Sequence, residues 1–264
     1  MRSAFQSFIF ATLVTLIVVA GGWFYLRARG LSEPIRPPLE HGFLKGPAFY
    51  VIAAPPPDDP KAVEFLSEVS KRSKDIVLWI NLQAKQSRKL LLHTSATDPN
   101  QGLTLSEVLT RFPDHRLVLN FSGNHEGMFE EIMKTVDDAK AGDRVLIQSP
   151  EDGLLRDLRD KKPLWLYGTS DAQIVRLKML SALGLAATAT LRGDVMILGQ
   201  TGAGRLQPKV APMDYVDTIQ EAHRRRMKIF IPENEKEKAV QLRNLGADGV
   251  ITSKPFDLLD QETR

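Results

Sequence analysis

Read as hydrophobic against polar positions, the chain has two regimes. From Ser3 to Leu26 no residue is charged, and Ile9, Phe10, Leu13, Val14, Leu16, Ile17, Val18 and Val19 make up an apolar run. From Ala48 onward, short apolar runs alternate with stretches whose apolar positions recur at helical spacing. The runs are Ala48 to Ala53, Ile76 to Leu82, Arg116 to Phe121, Arg144 to Gln148, Leu164 to Tyr167, Val195 to Gly199, Lys228 to Ile231 and Gly249 to Thr252. The spacing between them predicts helices over Lys61 to Ser73, Leu105 to Phe112, Met128 to Ala139, Asp171 to Leu183, Tyr215 to Met227 and Lys236 to Leu245. Strands alternating with helices pair in parallel, because parallel strands need a crossover. Several runs are apolar nearly throughout, as strands are when both faces are covered. Eight such units can close on themselves and leave no exposed edge, which makes the expected fold an α/β TIM barrel, (β/α)8. A doubly wound open sheet is the alternative.

The first regime asks for a different solvent. A helix rising about 1.5 Å per residue crosses the hydrocarbon core in roughly 20 apolar residues, and the uncharged stretch is long enough. Trp23 and Tyr25 stand at its far end, where amphipathic rings favour the membrane boundary, and Arg27 and Arg29 close it. A cleaved signal peptide, cut after Val18-Val19-Ala20, is the competing reading, but the apolar stretch continues past that site to Leu26. Pro34, Pro37 and Pro38 then mark a segment without helical period. The expected organisation is a transmembrane anchor over 1–29, a linker over 30–47 and one barrel domain over 48–264. Arg27, Arg29, Arg36 and Lys45 follow the span, which points to a cytoplasmic domain, whereas a secretory-type N-terminus points outward.

Composition removes several chemistries. The absence of cysteine excludes disulfides, thiolate catalysis and cysteine-ligated metals. A net charge of +3 is spread among nearly as many acids as bases, so nucleic acid is not an expected partner. Gly199 to Arg205 has the glycine spacing of a phosphate loop, but Arg205 and Leu206 replace the lysine and hydroxyl such a loop needs, and Pro208 follows. His223-Arg224-Arg225-Arg226 ends a predicted helix, where positive charge suits the dipole.

In a TIM barrel the chemistry belongs at the C-terminal ends of the strands. The first run ends in Ala53-Ala54-Pro55-Pro56-Pro57, which carries no titratable group. The second presents Trp79, Asn81 and Gln83 on one face, by strand alternation. The third ends with Asn120 and Ser122. An extension strand ends in His93, a candidate acid or base. Neutral amides and an indole hold a divalent cation poorly, so no metal ligand and no cofactor is assigned.

The C-terminal segment from Val216 to Pro255 carries Asn234, Gly246, Asp248, Gly249, Thr252 and Pro255, and Leu103 to Leu109 follows His93 at a matching distance. In these residues the chain resembles the glycerophosphodiester phosphodiesterase family. The resemblance implies a TIM barrel over nearly all of Ala48 to Leu259, and divalent-metal-dependent hydrolysis of glycerophosphodiesters, with magnesium or calcium as cofactor. Carried over position by position, the family's first histidine falls on Ala54 and its metal-binding acidic pair on Trp79 and Asn81. Its third-strand glutamate falls on Asn120 and the companion lysine on Ser122. His93 retains the second histidine, with Thr94 in place of the aspartate that follows it.

Two functions are therefore expected from different classes. The first is a membrane-anchored pseudoenzyme, a barrel acting as a binding or scaffold protein. Its pocket candidates are Trp79, Asn81, Gln83, Asn120, Ser122 and Asn234, its ligand a polyol or glycerophosphodiester, and its lipid contact the N-terminal helix. The second is an active phosphodiesterase of lipid metabolism with a rearranged site built from His93, Asp58, Asp59 and Glu233.

Overall fold

A computed structural model describes residues 2–32, 40–56, 59–84, 90–92, 103–123, 127–198, 200–201, 205–206 and 215–259. The strands are β1 (Tyr50–Ala53), β2 (Val77–Ala84), β3 (Leu90–Leu92), β4 (Leu117–Ser122), β5 (Val145–Gln148), β6 (Leu166–Tyr167), β7 (Val195–Ile197), β8 (Gln200–Thr201), β9 (Arg205–Leu206), β10 (Lys228–Pro232) and β11 (Gly249–Thr252). The helices are α1 (Arg2–Ser32), α2 (Ala62–Arg72), α3 (Leu105–Arg111), α4 (Met128–Asp138), α5 (Asp152–Lys161), α6 (Asp171–Ala182), α7 (Val216–Arg224), α8 (Lys236–Asn244) and α9 (Phe256–Leu259).

Eight of the strands are parallel neighbours in the order β6, β5, β4, β2, β1, β11, β10, β7. A single parallel bridge between Gly168 and Val195 brings the two ends of this path together. Two hydrogen bonds accompany it, from Thr169 N to Val195 O at 3.0 Å and from Asp194 N to Tyr167 O at 2.7 Å. The result is a TIM barrel, with every parallel strand overlapping one of the predicted apolar runs, though β2, β4 and β10 run one or two residues past them. The short hairpins β2 with β3 and β8 with β9 are antiparallel additions.

Strand alternation divides the apolar residues between the barrel interior and two outer clusters. Tyr50, Ile52, Trp79, Val118, Leu146, Leu166, Ile197, Phe230 and Ile251 fill the barrel interior. Leu78, Ile80, Leu119, Phe121 and Ile147 point outward beneath α2, α3 and α4, against Leu66, Val108 and Ile132. Local signals start these helices. Thr104 and Glu107 form a capping box at α3, and the Ser170 hydroxyl caps α6. Helix α5 lies outside the spans named from the spacing, and it buries Leu154, Leu155 and Leu158.

The segment expected as a linker is built into the domain where it is described. Helix α1 runs on to Ser32, and Gly42–Leu44 forms a 3-10 turn. Phe43, fully buried, closes the N-terminal end of the barrel. Its ring stacks on Tyr50 at 6.1 Å between centroids, and the Tyr50 hydroxyl donates to Leu44 O at 2.9 Å. The interior is thus plugged from below, at the N-terminal ends of the strands.

His41 caps that turn. Its Nδ1 accepts from Phe43 N at 3.2 Å, which leaves Nε2 to donate to Gly142 O at 2.9 Å. Burial lowers its pKa from the ordinary 6.5, outweighing the Gly142 bond and the nearby Asp143 and Asp194 that raise it. The unfolded chain therefore takes up the proton first, and the stability His41 contributes is lost as pH falls below about 6.5. Thermal melting followed from about pH 7 down to pH 5 is expected to show a falling midpoint, with a shallower slope in His41→Gln. An unchanged slope would remove this role.

The last turns of α1 rest on the same end of the barrel. Trp23 Nε1 donates to Leu183 O at 2.8 Å, just beyond α6. Gly30 is buried, and a Cβ there would lie 2.7 Å from the carbonyl carbon of Ala187, so only glycine admits this approach. The helix is apolar enough to be a candidate membrane span over Ile9–Ser32.

Candidate functional site

At the C-terminal ends of the strands, register sets three amides side by side. Asn81 pairs with Asn120 across β2 and β4, and Asn120 with Gln148 across β4 and β5. Trp79 Nε1 donates to Asn81 Oδ1 at 2.8 Å, and Asn120 Nδ2 donates to the same oxygen at 2.8 Å. Gln148 Nε2 donates to Thr169 O at 3.1 Å, anchoring it to the loop after β6. A Cβ at Gly168 would collide with Gln148 Oε1, so glycine makes the room this side chain occupies.

This chain of amides has a surplus of acceptors. Asn120 Oδ1 and Gln148 Oε1 are buried and find no donor among the described residues. An unsatisfied buried acceptor costs about 1–3 kcal/mol, so both oxygens call for a donor that the described residues do not bring.

The other expected site residues divide. Gln83 and Ser122 pair at the ends of β2 and β4, above Asn81 and Asn120, and the Ser122 hydroxyl donates to Leu82 O at 3.3 Å. Asn234 stands apart and braces a strand end. Its Oδ1 accepts from the Thr252 hydroxyl at 3.0 Å and from Ser253 N at 2.8 Å. His93 and Asp58 lie outside the described residues. Asp59 Oδ1 accepts from Lys61 N at 2.9 Å, which shapes the turn into α2. Glu233 Oε1 accepts from Asn234 N at 2.8 Å and Glu235 N at 2.9 Å, which ties that oxygen to its own loop.

Gln148 is absent from the sequence-derived candidates. It closes an apolar run as a lone amide, and only the register with Asn120 reveals it.

The donor set can be tested against a divalent cation. Such ions take oxygen ligands that include carboxylates, and the strand ends here offer the amides of Asn81, Asn120 and Gln148 beside an indole. Among the described residues no three His, Asp or Glu side chains gather where one metal ion could be held. Ala54, at the end of β1, is buried, donates its backbone N to Thr252 O at 2.9 Å, and has no proton to transfer. The described residues therefore do not fit a carboxylate-held cation.

Asp248 serves the opposite end of the barrel. Its carboxylate accepts from Lys228 Nζ at 2.6 Å and Ile229 N at 3.0 Å, and lies 3.0 Å from His223 Nε2, tying α7 to the start of β10. A separate cavity of about 480 Å³ lies outside the barrel between α5 and α6. Of its charged groups, Arg159 pairs with Asp194 at 2.7 Å, and Asp152 accepts from the Ser170 hydroxyl at 2.9 Å and from Gln173 Nε2 at 2.5 Å.

The fold is similar to that of solved glycerophosphodiester phosphodiesterase structures. A protein from Galdieria sulphuraria, provisionally named a glycerophosphodiester phosphodiesterase, superposes with a TM-score of 0.59 at 10% identity, over 82% of this chain and 98% of its own. The glycerophosphodiester phosphodiesterase of Agrobacterium tumefaciens gives 0.56 at 7% identity, over 80% and 98%. A glycerophosphoryl diester phosphodiesterase domain from Mycobacterium tuberculosis gives 0.53 at 13% identity, over 83% and 100%. At these identities the likeness is one of fold. Neither a protein-family model nor a curated protein matches the chain.

Proposed function

We propose that this chain is a membrane-anchored, non-catalytic barrel of the glycerophosphodiester phosphodiesterase type that binds a neutral, hydroxyl-rich group, a polyol or the glycerol end of a glycerophosphodiester. The observation that carries the reading is the amide chain Trp79, Asn81, Asn120 and Gln148 at the strand ends, with two buried acceptors awaiting donors. Hydroxyls supply donors of that kind, and an indole beside them suits a sugar-like ligand. Among the described residues the same layer has neither the charge to hold a cation nor the proton carrier that would help an alcohol leave. Function resides in sites rather than folds, so the loss of these groups outweighs the shared barrel.

The test is paired. Full-length protein is incubated with glycerophosphocholine and magnesium, calcium or manganese, and its binding to the same compound is measured by titration calorimetry. The expected result is binding without turnover, weakened about tenfold in Asn120→Leu, or about 1.4 kcal/mol. Cation-dependent turnover would overturn the non-catalytic reading, and an absence of binding would overturn the ligand.

A further inference from the structure

We propose that the closed, N-terminal end of the barrel lies directly on the lipid surface, with the loops before β6 and β7 seated among the headgroups and the amide-bearing strand ends facing away from the membrane. This rests on reading α1 as a membrane span. It adds to that reading the orientation of the domain, which a tether alone leaves free.

The register of the span carries the argument. Charge confines the buried part of α1 between Arg2 and Arg27, and a crossing uses roughly 20 residues at about 1.5 Å each. Counting back from Trp23, such a crossing begins near Ala4, at the start of the uncharged run. The span can slide by no more than about one turn before a charge enters the hydrocarbon. Trp23 therefore stands at the boundary, where its ring is favoured, with the Arg27 guanidinium over it at 5.2 Å. Trp23 is also the residue hydrogen-bonded to Leu183 O. Whatever depth Trp23 takes, the loop after α6 shares it.

The surface around that junction fits such a place. Leu183 is 62% exposed, and Val175 and Met179, spaced by four residues up α6, are 56% and 66% exposed. Helix α6 thus carries apolar side chains on its outer face as well as on the buried face of Ile174 and Leu177. Strands β6 and β7 adjoin at the barrel seam, so the loops that enter them are neighbours. The loop into β6 presents Leu164 at 79% exposure, the highest value among the exposed large apolar residues described, and the exposed Lys161 lies three positions before it in the chain. Scattered exposed leucines need no explanation, but here they sit at the foot of a helix that enters a bilayer, and continuity with that helix names the occupant. Lysine beside them suits anionic headgroups.

Because the chain has no cysteine, a single introduced thiol gives a unique label. Nitroxides placed by Leu164→Cys, Leu183→Cys, Ile17→Cys and Lys254→Cys in the full chain are compared in phosphatidylcholine vesicles containing phosphatidylglycerol. Power saturation with oxygen and with a water-soluble nickel complex reports depth. The expected result is an oxygen-to-nickel accessibility ratio at Leu164 and Leu183 several-fold above that at Lys254, with Ile17 highest. Ratios at Leu164 and Leu183 equal to that at Lys254, with Ile17 still reading hydrocarbon, would overturn the orientation and leave the span intact. An aqueous reading at Ile17 would overturn the span, and the orientation with it.

Discussion

Replacing Phe43 with alanine is expected to lower the free energy of unfolding by about 3–5 kcal/mol, the usual cost of removing a fully buried phenyl ring. The ring is completely shielded, stacks on Tyr50 with an interplanar angle of 8°, and stands in the cluster that fills the barrel from below. Alanine would leave a void bounded by side chains from several strands, which cannot collapse without distorting the barrel, so the high end of the range applies. Equilibrium urea unfolding of the full chain in detergent measures it as a drop in midpoint at constant slope. A linker phenylalanine would give a change within about 0.5 kcal/mol, and that outcome would return residues 40–47 to the status of a tether.

This ring also shows where the sequence stops being legible. Phe43 lies in a stretch rich in proline and glycine with no period, and local text of that kind reads as a linker. Its burial depends on a contact with β1 and on the His41 cap, which reaches about a hundred residues along the chain to Gly142. The barrel, by contrast, was readable because Val118, Leu119 and Phe121, like their equivalents in other strands, are apolar on both faces, which few architectures require. The neutral strand ends at Ala54, Trp79, Asn81 and Asn120 were readable too, since alternation places them without knowledge of the tertiary structure. Gln148 was not, because its meaning comes from register with Asn120. Nor was the docking of α1, which depends on a hydrogen bond between Trp23 and a carbonyl 160 residues away.

The Gly246-Ala247-Asp248-Gly249 segment, which carried much of the family resemblance, belongs to the architecture rather than to the chemistry, and the second large effect follows from it. Gly246 has φ of +98°, a backbone conformation glycine adopts freely. Gly249 is constrained by space. A Cβ there would sit 2.5 Å from Tyr50 O, 2.7 Å from Tyr50 Cβ and 3.1 Å from Phe230 Cδ1. The first of these is backbone in the paired strand β1, so relief requires moving β1 and β11 apart and breaking their ladder. Gly249→Ala is therefore expected to destabilise by more than about 4 kcal/mol and to abolish cooperative unfolding if the barrel cannot absorb the shift. Gly153→Ala is the control. It lies in α5 with nothing within 4 Å of the new carbon, and it is expected to stabilise by about 0.4–1 kcal/mol. Calorimetric melting of the two variants beside the parent distinguishes them. A Gly249→Ala protein as stable as the parent would mean that β1 and β11 have slack at this point, and that the segment's glycine must be explained by something other than the packing of the two strands.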